Sequence, residues 1–510
     1  MTSSTREAMA SPWLAISAGV VMAVAASVSL ALRPLSLGVL LAALLALVPA
    51  LLVRDARLYW LTLFIVALQF DVEKTVIDGV AVLNALRLDG RPWVFVPSIR
   101  LSDLPFAVLL ALWLKDLWLR RTRLAVPSGV WLAGGFLVWA VFSLAGAPSR
   151  YLGAIELFRQ AKFILVFLYV ANAIDSDRAL RRVWAAVLVI VLLQGAVTIF
   201  RFAFDFYDPF FGELFGRTEI AELPESRVTE DNYLLDPRAE GGLGGWRNSF
   251  GTSRSGATTS QLLLLGLPLA ALACTRNAVF RRRLGCVLVL AVGLVGFVLT
   301  FSRSSWMGGV VAGLVGYWLA VRRGYLSART AIMLGLVLTV TVVGIVPNYM
   351  AYVTRRLVNV EVRLEQYQTA RAMLTRHPVL GVGLNNSMVN AREYGRFSFA
   401  LSDVHNRTYE APIHSFYLAL LAEVGVIGFV LYTSALLVNV RRAWRLSWPS
   451  GNPVDAFSAM AALLGLVALG AGVLTNPMFD DGVQTLAWLY AGIIASLDHR
   501  SGAGKPRPSP

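Results

Sequence analysis

The stretch Ile413–Val440, IHSFYLALLAEVGVIGFVLYTSALLVNV, holds one charged residue, Glu423. It exceeds the about 20 apolar residues a helix needs to cross a bilayer. It does not alternate with period two, so it reads as a spanning helix and not as a barrel strand. Outward from it, further apolar runs lie at 13-32, 36-53, 57-70, 104-119, 129-146, 161-175, 183-206, 256-275, 284-301, 305-321, 330-347, 456-474 and 483-497. The runs at 57-70 and 161-175 are short. The first run is long and lacks a small-residue cleavage site, so a retained anchor is expected there and not a signal peptide. Composition agrees: 57% of the 510 residues are apolar and 15% are charged, against about 25% charged in an ordinary soluble protein. That excludes a disordered chain, a nucleic-acid binder with a basic groove and a one-domain cytosolic enzyme. The expected fold is all-α: a polytopic integral membrane protein of about 14 transmembrane helices, with a long, partly helical outer loop.

Charge placement sets the orientation. With 14 spans, the short loops around Arg54/Arg57, Arg120/Arg121/Arg123, Arg178/Arg181/Arg182, Arg276/Arg281/Arg282/Arg283, Arg322/Arg323/Arg329 and Arg441/Arg442/Arg445 fall on one side with both termini. That side holds 23 of the 46 Lys+Arg against 7 acidic residues, net +16; the other holds 23 and 23. The first side is therefore cytoplasmic. The chain divides into residues 1-347, with eleven helices and outer loops 71-103 and 207-255; a large outer loop, 348-412; three helices in 413-497; and a disordered cytoplasmic tail, 498-510. The long segments are all on the outer face, where recognition or chemistry has chain to be built from. Cys274 and Cys286 flank a short basic loop and imply no disulfide framework.

The outer segment 361-374 reads as an amphipathic helix with Leu364, Tyr367, Ala370 and Leu374 on one face. It stops at His377-Pro378, because the residue before a proline is pushed out of helical geometry; His377 is expected to cap it. A glycine turn follows, Val379-Leu-Gly381-Val-Gly383-Leu384. The last outer segment then leads into His414-Ser415, at the outer end of a span. Gly425 and Gly428 within that span are expected to let another helix approach closely.

This arrangement resembles the O-antigen ligase and Wzy-type polymerase superfamily. The resemblance is carried by His377-Pro378-x-x-Gly381-x-Gly383-Leu384, by His414-Ser415 with Gly425 and Gly428 beyond it, and by Ser302-Arg303-Ser304 between two spans. It covers about 300-440, and the rest of the chain by hydropathy alone. The resemblance implies a membrane glycosyltransferase of the bacterial inner membrane, working on its periplasmic side. The implied donor is an undecaprenyl-diphosphate-linked oligosaccharide; the acceptor is lipid A-core for a ligase, or another lipid-linked glycan for a polymerase. Neither cofactor nor metal is implied.

Chemistry points the same way. A lipid-diphosphate leaving group calls for arginines, which grip phosphate oxygens bidentately and stay charged. The outer face offers Arg303, Arg254, Arg247, Arg363, Arg371 and Arg159. An attacking sugar hydroxyl calls for a base that works near neutral pH, and His414 is the histidine set at a membrane-embedded helix start. His414 and Arg303 are thus the candidate catalytic residues; the other five arginines, with Trp246 as a stacking face for sugar, are candidates for substrate binding. Against this stands a plainer view. Only 4 of the 46 basic residues are Lys, so Arg247, Arg363 or Arg371 is as readily a solvated residue as a phosphate ligand. Likewise the 207-255 loop is as readily an ordinary mixed-charge loop. Asp480 and Asp481 read as a solvated outer turn, His405 as a loop residue, and Glu423 as a buried carboxyl in need of a hydrogen-bond partner. No metal-ligand spacing is recognisable. A ligase-type transferase is favoured; the alternatives are a Wzy-type polymerase, which the extra spans and the 207-255 loop suggest, and a flippase, which would want charges mid-span. A scaffold for envelope assembly would need no His/Arg cluster.

Overall fold

The computed structural model describes residues 55–70, 73–75, 98–122, 124–204, 251–252, 256–276, 280–322, 357–394, 413–448, 452–478 and 480–503. These are helical apart from one ribbon, in which β1 (Glu73–Thr75) pairs antiparallel with β2 (Ser98–Arg100). The helices are α1 (Ala56–Ala67), α2 (Asp103–Trp118), α3 (Ser128–Ser143), α4 (Arg150–Ala173), α5 (Asp177–Phe204), α6 (Gly256–Arg276), α7 (Phe280–Leu299), α8 (Arg303–Arg322), α9 (Leu357–Arg376), α10 (Ser387–Tyr394), α11 (Phe416–Leu446), α12 (Pro453–Gly472) and α13 (Asp481–Ala503). Capping side chains fix several starts: Ser149 accepts from Leu152 N, Ser415 from Leu418 N and Asn452 from Val454 N.

Six of these helices are long and apolar enough to cross a membrane: Ser128–Gly146, Asp177–Phe204, Gly256–Cys274, Arg303–Arg322, Phe416–Leu446 and Pro453–Gly472. The chain is therefore a multi-pass membrane protein. Of the other expected spans, 57-70, 104-119, 161-175, 284-301 and 483-497 are also helical but are not among the six. The runs 13-32, 36-53 and 330-347 lie outside the described residues. Two of the five differ from the six in charge or in burial. The 161-175 run is the apolar half of α4, whose first half carries Glu156, Arg159 and Lys162. In α13, Trp488, Leu489, Tyr490, Ile493 and Ile494 are all buried, so its apolar surface faces protein on every side.

Helix α13 packs on α4, α11 on α3, α7 on α5, and α12 on both α8 and α6. The outward faces of α3, α7 and α8 expose Trp131, Val138, Leu288, Val298 and Leu314, as a lipid-facing surface requires. The loop Val473–Asp480, between α12 and α13, ties one end together. Val473 O and Asn476 O accept from Phe416 N at the start of α11, and Pro477 O accepts from Gln261 Nε2 of α6. Helices α1 and α5 also end on this side, where Gln194 of α5 donates to Gln69 O, just beyond α1, and to Thr252 Oγ1. We call this the loop end. The opposite end is laced by Arg442 and Arg445 to Asp498, Arg500 to Asp177 and Asp455, and Arg57 to Asp116.

Candidate active site at the loop end

Helix α11 is broken near its start. Gly425 has φ 66° and ψ −175°, a positive-φ conformation essentially confined to glycine that costs another residue about 1–3 kcal/mol. The break frees carbonyls that a continuous helix would use, and each finds a donor: Ala422 O accepts from Val382 N (2.9 Å), Glu423 O from Gly383 N (2.9 Å), and Val424 O from Trp139 Nε1 (3.0 Å). In return Val426 N donates to Pro378 O (2.9 Å). The turn 378–387 is thus seated backbone to backbone in the break. A Cβ on Gly425 would collide with the Val379 carbonyl, and one on Gly381 (φ +70°) with the Glu423 carbonyl. The expected role of Gly425 is corrected: it admits a loop, not a helix. Gly428 does admit a helix side chain, Trp139 of α3.

Glu423 locks this joint. Its Oε2 accepts from Asn385 N (3.0 Å), and its Oε1 from Ser387 Oγ (2.6 Å) and Ser387 N (3.4 Å). The far side of the turn is held by Asn386, whose amide exchanges hydrogen bonds with Ser149 N and O (2.9 and 3.1 Å) at the start of α4. His377 does not cap α9 through its ring. Its backbone N–H continues the helix to Met373 O, and its Nε2 meets Tyr394 Oη at 2.7 Å, tying α9 to α10.

Against this joint α9 packs a small core: Ala370 and Met373 meet Val382, Ala391, Ile413, Ala419 and Ala422. The inward face is not the expected one. Gln366, Thr369, Ala370 and Met373 are buried, whereas Leu364 is 56% exposed. The buried polar pair has a use. Gln366 Oε1 accepts from His414 N (3.1 Å) and lies 2.9 Å from His414 Nδ1, and Tyr367 Oη donates to His414 O (3.1 Å). Burial raises the Tyr367 pKa, with the Arg363 charge opposing it, so the hydroxyl is a proton donor at neutral pH. Helix α9 therefore grips His414 at its backbone N–H, its ring and its carbonyl. Sequence alone missed Gln366; its signal is a glutamine one position off an apolar face.

Arg303 is the first residue of α8, after a turn in which Phe301 takes φ 49° and Thr300 Oγ1 bonds Phe297 O (2.7 Å). The tight turn is thus Thr300–Ser302, and Arg303 is already helical. Ser302 Oγ donates to Ser305 Oγ (3.0 Å), which meets Ser260 Oγ of α6 (2.6 Å). The residues that follow Arg303 and His414 in the chain flank one piece of backbone, the last turn of α12. On one side, a Cβ at Gly472 would stand 3.5 Å from Ser304 O; on the other, Val473 O accepts from Phe416 N (3.1 Å) and Gly470 O from Tyr417 Oη (3.1 Å). Helices α4, α6, α8, α11 and α13 all begin at this end, so their positive dipole ends favour an anion there.

The remaining candidates are placed differently. Arg159 is held bidentately by Glu156, Nε to Oε2 and Nη2 to Oε1, both at 2.8 Å, so its planar fork is already occupied. Arg363 and Arg371 lie on the exposed side of α9. Arg254, Arg247, Trp246 and His405 lie outside the described residues, although Thr252, two residues before Arg254, is fixed by Gln194 and by Gln69 O (2.7 Å). Asp480 and Asp481 are not a solvated turn. Asp480 caps α13 through Val483 N (2.9 Å), and Asp481, 1% exposed, bonds Lys162 Nζ (2.7 Å), which also reaches Asp103 (3.1 Å). Arg100 stands 3.8 Å from Asp481 and 3.9 Å from Asp480. Among the described residues, no three His, Cys, Asp or Glu side chains gather to hold a metal ion.

Comparison with known proteins adds one match. Residues 286–433 fit the family model of the O-antigen ligases. The match begins in α7, takes in Arg303, the 378–387 turn and His414, and ends beyond the break in α11. No curated protein matches the chain. The segment that holds both candidate catalytic residues is thus similar to the O-antigen ligases, a family of membrane glycosyltransferase-like enzymes.

Proposed function

We propose that the protein transfers a glycan from undecaprenyl diphosphate to an acceptor hydroxyl, with the loop end facing the periplasm of a bacterial inner membrane. The observation that supports this reading is that residues beside Arg303 and His414 in the chain, Ser304 on one side and Phe416 and Tyr417 on the other, meet the same turn of α12, Gly470–Val473. Arg303 grips the diphosphate, assisted by Arg371 or Arg254, and the converging helix starts add positive potential. The diphosphate is a good leaving group once its charge is matched, so no strong acid is required. His414 takes the proton from the acceptor hydroxyl as the hydroxyl attacks the anomeric carbon, and attack opposite the leaving group inverts that centre. No cofactor takes part. A ligase-type acceptor is favoured; polymerisation of repeat units uses the same chemistry and differs only in the acceptor.

The test uses purified protein in bilayers with lipid-linked oligosaccharide extracted from the native membranes. His414→Ala is expected to fold, to bind the donor and to lose about 10²–10⁴-fold in transfer rate. Arg303→Lys keeps the charge but loses the fork, and a strong drop is expected there too. Retention of more than about a tenth of the rate by His414→Ala removes His414 as the base. Movement of the probe across the bilayer without any new linkage would identify a flippase instead.

A further inference from the structure

We infer that Gln366 is a positioning residue that fixes the tautomer of His414, holding the ring proton on Nδ1 and presenting Nε2 as the proton acceptor. This inference rests on the reading of His414 as the base. Gln366 Oε1 lies 3.1 Å from the backbone N of His414 and 2.9 Å from its ring Nδ1. An amide can be turned end for end, and a ring nitrogen can either donate or accept. The backbone N–H has no such freedom: it only donates. It therefore obliges the oxygen of Gln366, not the nitrogen, to face His414. An oxygen at 2.9 Å from Nδ1 then obliges Nδ1 to carry the proton.

Three further observations support a dedicated role. Gln366 is 4% exposed, so bulk water does not compete for its oxygen. Its Nε2 has no partner among the described residues, a cost that an apolar residue of similar shape would not carry. The next residue, Tyr367, holds the carbonyl of the same histidine (3.1 Å), so the ring is carried on a backbone fixed at both its polar groups. The partner is also neutral. A carboxylate here would favour imidazolium, whereas an amide orients the ring and leaves it uncharged, the form in which it can accept a proton.

The test has a spectroscopic arm and a kinetic arm. Nitrogen NMR is recorded on the full chain in lipid bilayers with ¹⁵N-labelled histidine, and His414 is assigned by difference from His414→Ala. The neutral ring is expected to show a protonated Nδ1 and a bare Nε2; a protonated Nε2 in the wild-type protein would overturn the inference with no variant needed. In transfer assays with the extracted lipid-linked oligosaccharide, Gln366→Leu is expected to lower kcat about 10²-fold while KM moves by less than about threefold. Gln366→Glu keeps the acceptor but favours imidazolium, so its rate is expected to recover to within about tenfold of wild type on the alkaline side of the pH profile. Equal loss in both variants across the whole pH profile would mark Gln366 as mere packing and defeat the proposal. If His414→Ala keeps its activity while the Nδ1–H signal is present, the base reading falls and the tautomer assignment stands.

Discussion

Two buried polar clusters share the loop end and are built on opposite rules. Around Asp481, every group is charged: Lys162 and Arg100 stand against Asp103, Asp480 and Asp481. Around His414 two of the partners among the described residues are an amide and a phenol, Gln366 and Tyr367. Opposed charges in a dry site fix geometry and leave little capacity to exchange a proton. Neutral partners fix the geometry of an imidazole without committing its charge. The first cluster therefore reads as the fastening of β2, α2, α4 and α13, and the second, under the proposed function, holds the base.

The largest effect that could break this contrast is on stability. Asp481→Ala strands Lys162 and Arg100 beside an apolar gap, and loss of one partner from a buried pair costs about 3–5 kcal/mol. Thermal unfolding of purified protein should show it, and yield should fall. The pH dependence has a definite sign. Burial raises the Asp481 pKa, but the charges of Arg100, Lys162 and Arg159 outweigh burial and hold it below the ordinary value. A carboxyl lowered on folding stabilises fully above its unfolded pKa and loses that contribution as pH falls through its folded one. The wild-type contribution should thus be flat from about pH 5 upward, and its loss confined to the acid limb. A stable Asp481→Ala protein that has lost transfer activity would move Asp481 into the working site and end the contrast.

Next in size is the joint that carries His414's helix. Gly425→Ala places a Cβ at positive φ against the Val379 carbonyl, and we expect about 2–3 kcal/mol from strain alone, read as a lowered midpoint and faster proteolysis of the 378–387 turn. If Gly425 merely served helix packing, that turn would stay protected.

A smaller effect is expected from Glu423→Gln. The amide keeps one acceptor but turns an N–H₂ toward Asn385 N or Ser387, a loss of about 1–2 kcal/mol. Activity should fall in step with stability, because Glu423 holds backbone and not substrate. A loss of turnover at unchanged stability would instead make it part of the proton path.

How far the sequence reveals all this depends on what holds each part. The six helices long and apolar enough to cross a membrane are legible because burial in lipid selects residue type directly, and Gly425 is legible as a mark of close approach. The identity of what approaches is not: Gly425 implies space, and only the fold shows that the 378–387 turn fills it. Asp480 and Asp481 read as solvated because their cations, Arg100 and Lys162, are more than 300 residues away in the chain. Arg159 reads as available because a carboxylate three residues earlier, Glu156, does not announce that both lie inside.

Helix α9 supplies the smallest and most discriminating case. Apolar periodicity favours Leu364, Tyr367, Ala370 and Leu374 as its inner face, yet the buried set is Gln366, Thr369, Ala370 and Met373. The helix is turned from its apolar optimum because the inward positions must deliver Gln366 to His414, and hydrogen bonding there outweighs the burial of one leucine. Leu364→Ser is therefore expected to change stability by less than about 0.5 kcal/mol, as for other exposed positions, and to leave turnover near wild type. Gln366→Leu, two residues away and more apolar, should disable the enzyme. Were hydrophobic burial the rule on α9, the ranking would be reversed, with Leu364→Ser costing about 1.5–3 kcal/mol and Gln366→Leu stabilising. Measuring both variants by unfolding midpoint and turnover decides whether α9 is present to cover a core or to hold a histidine.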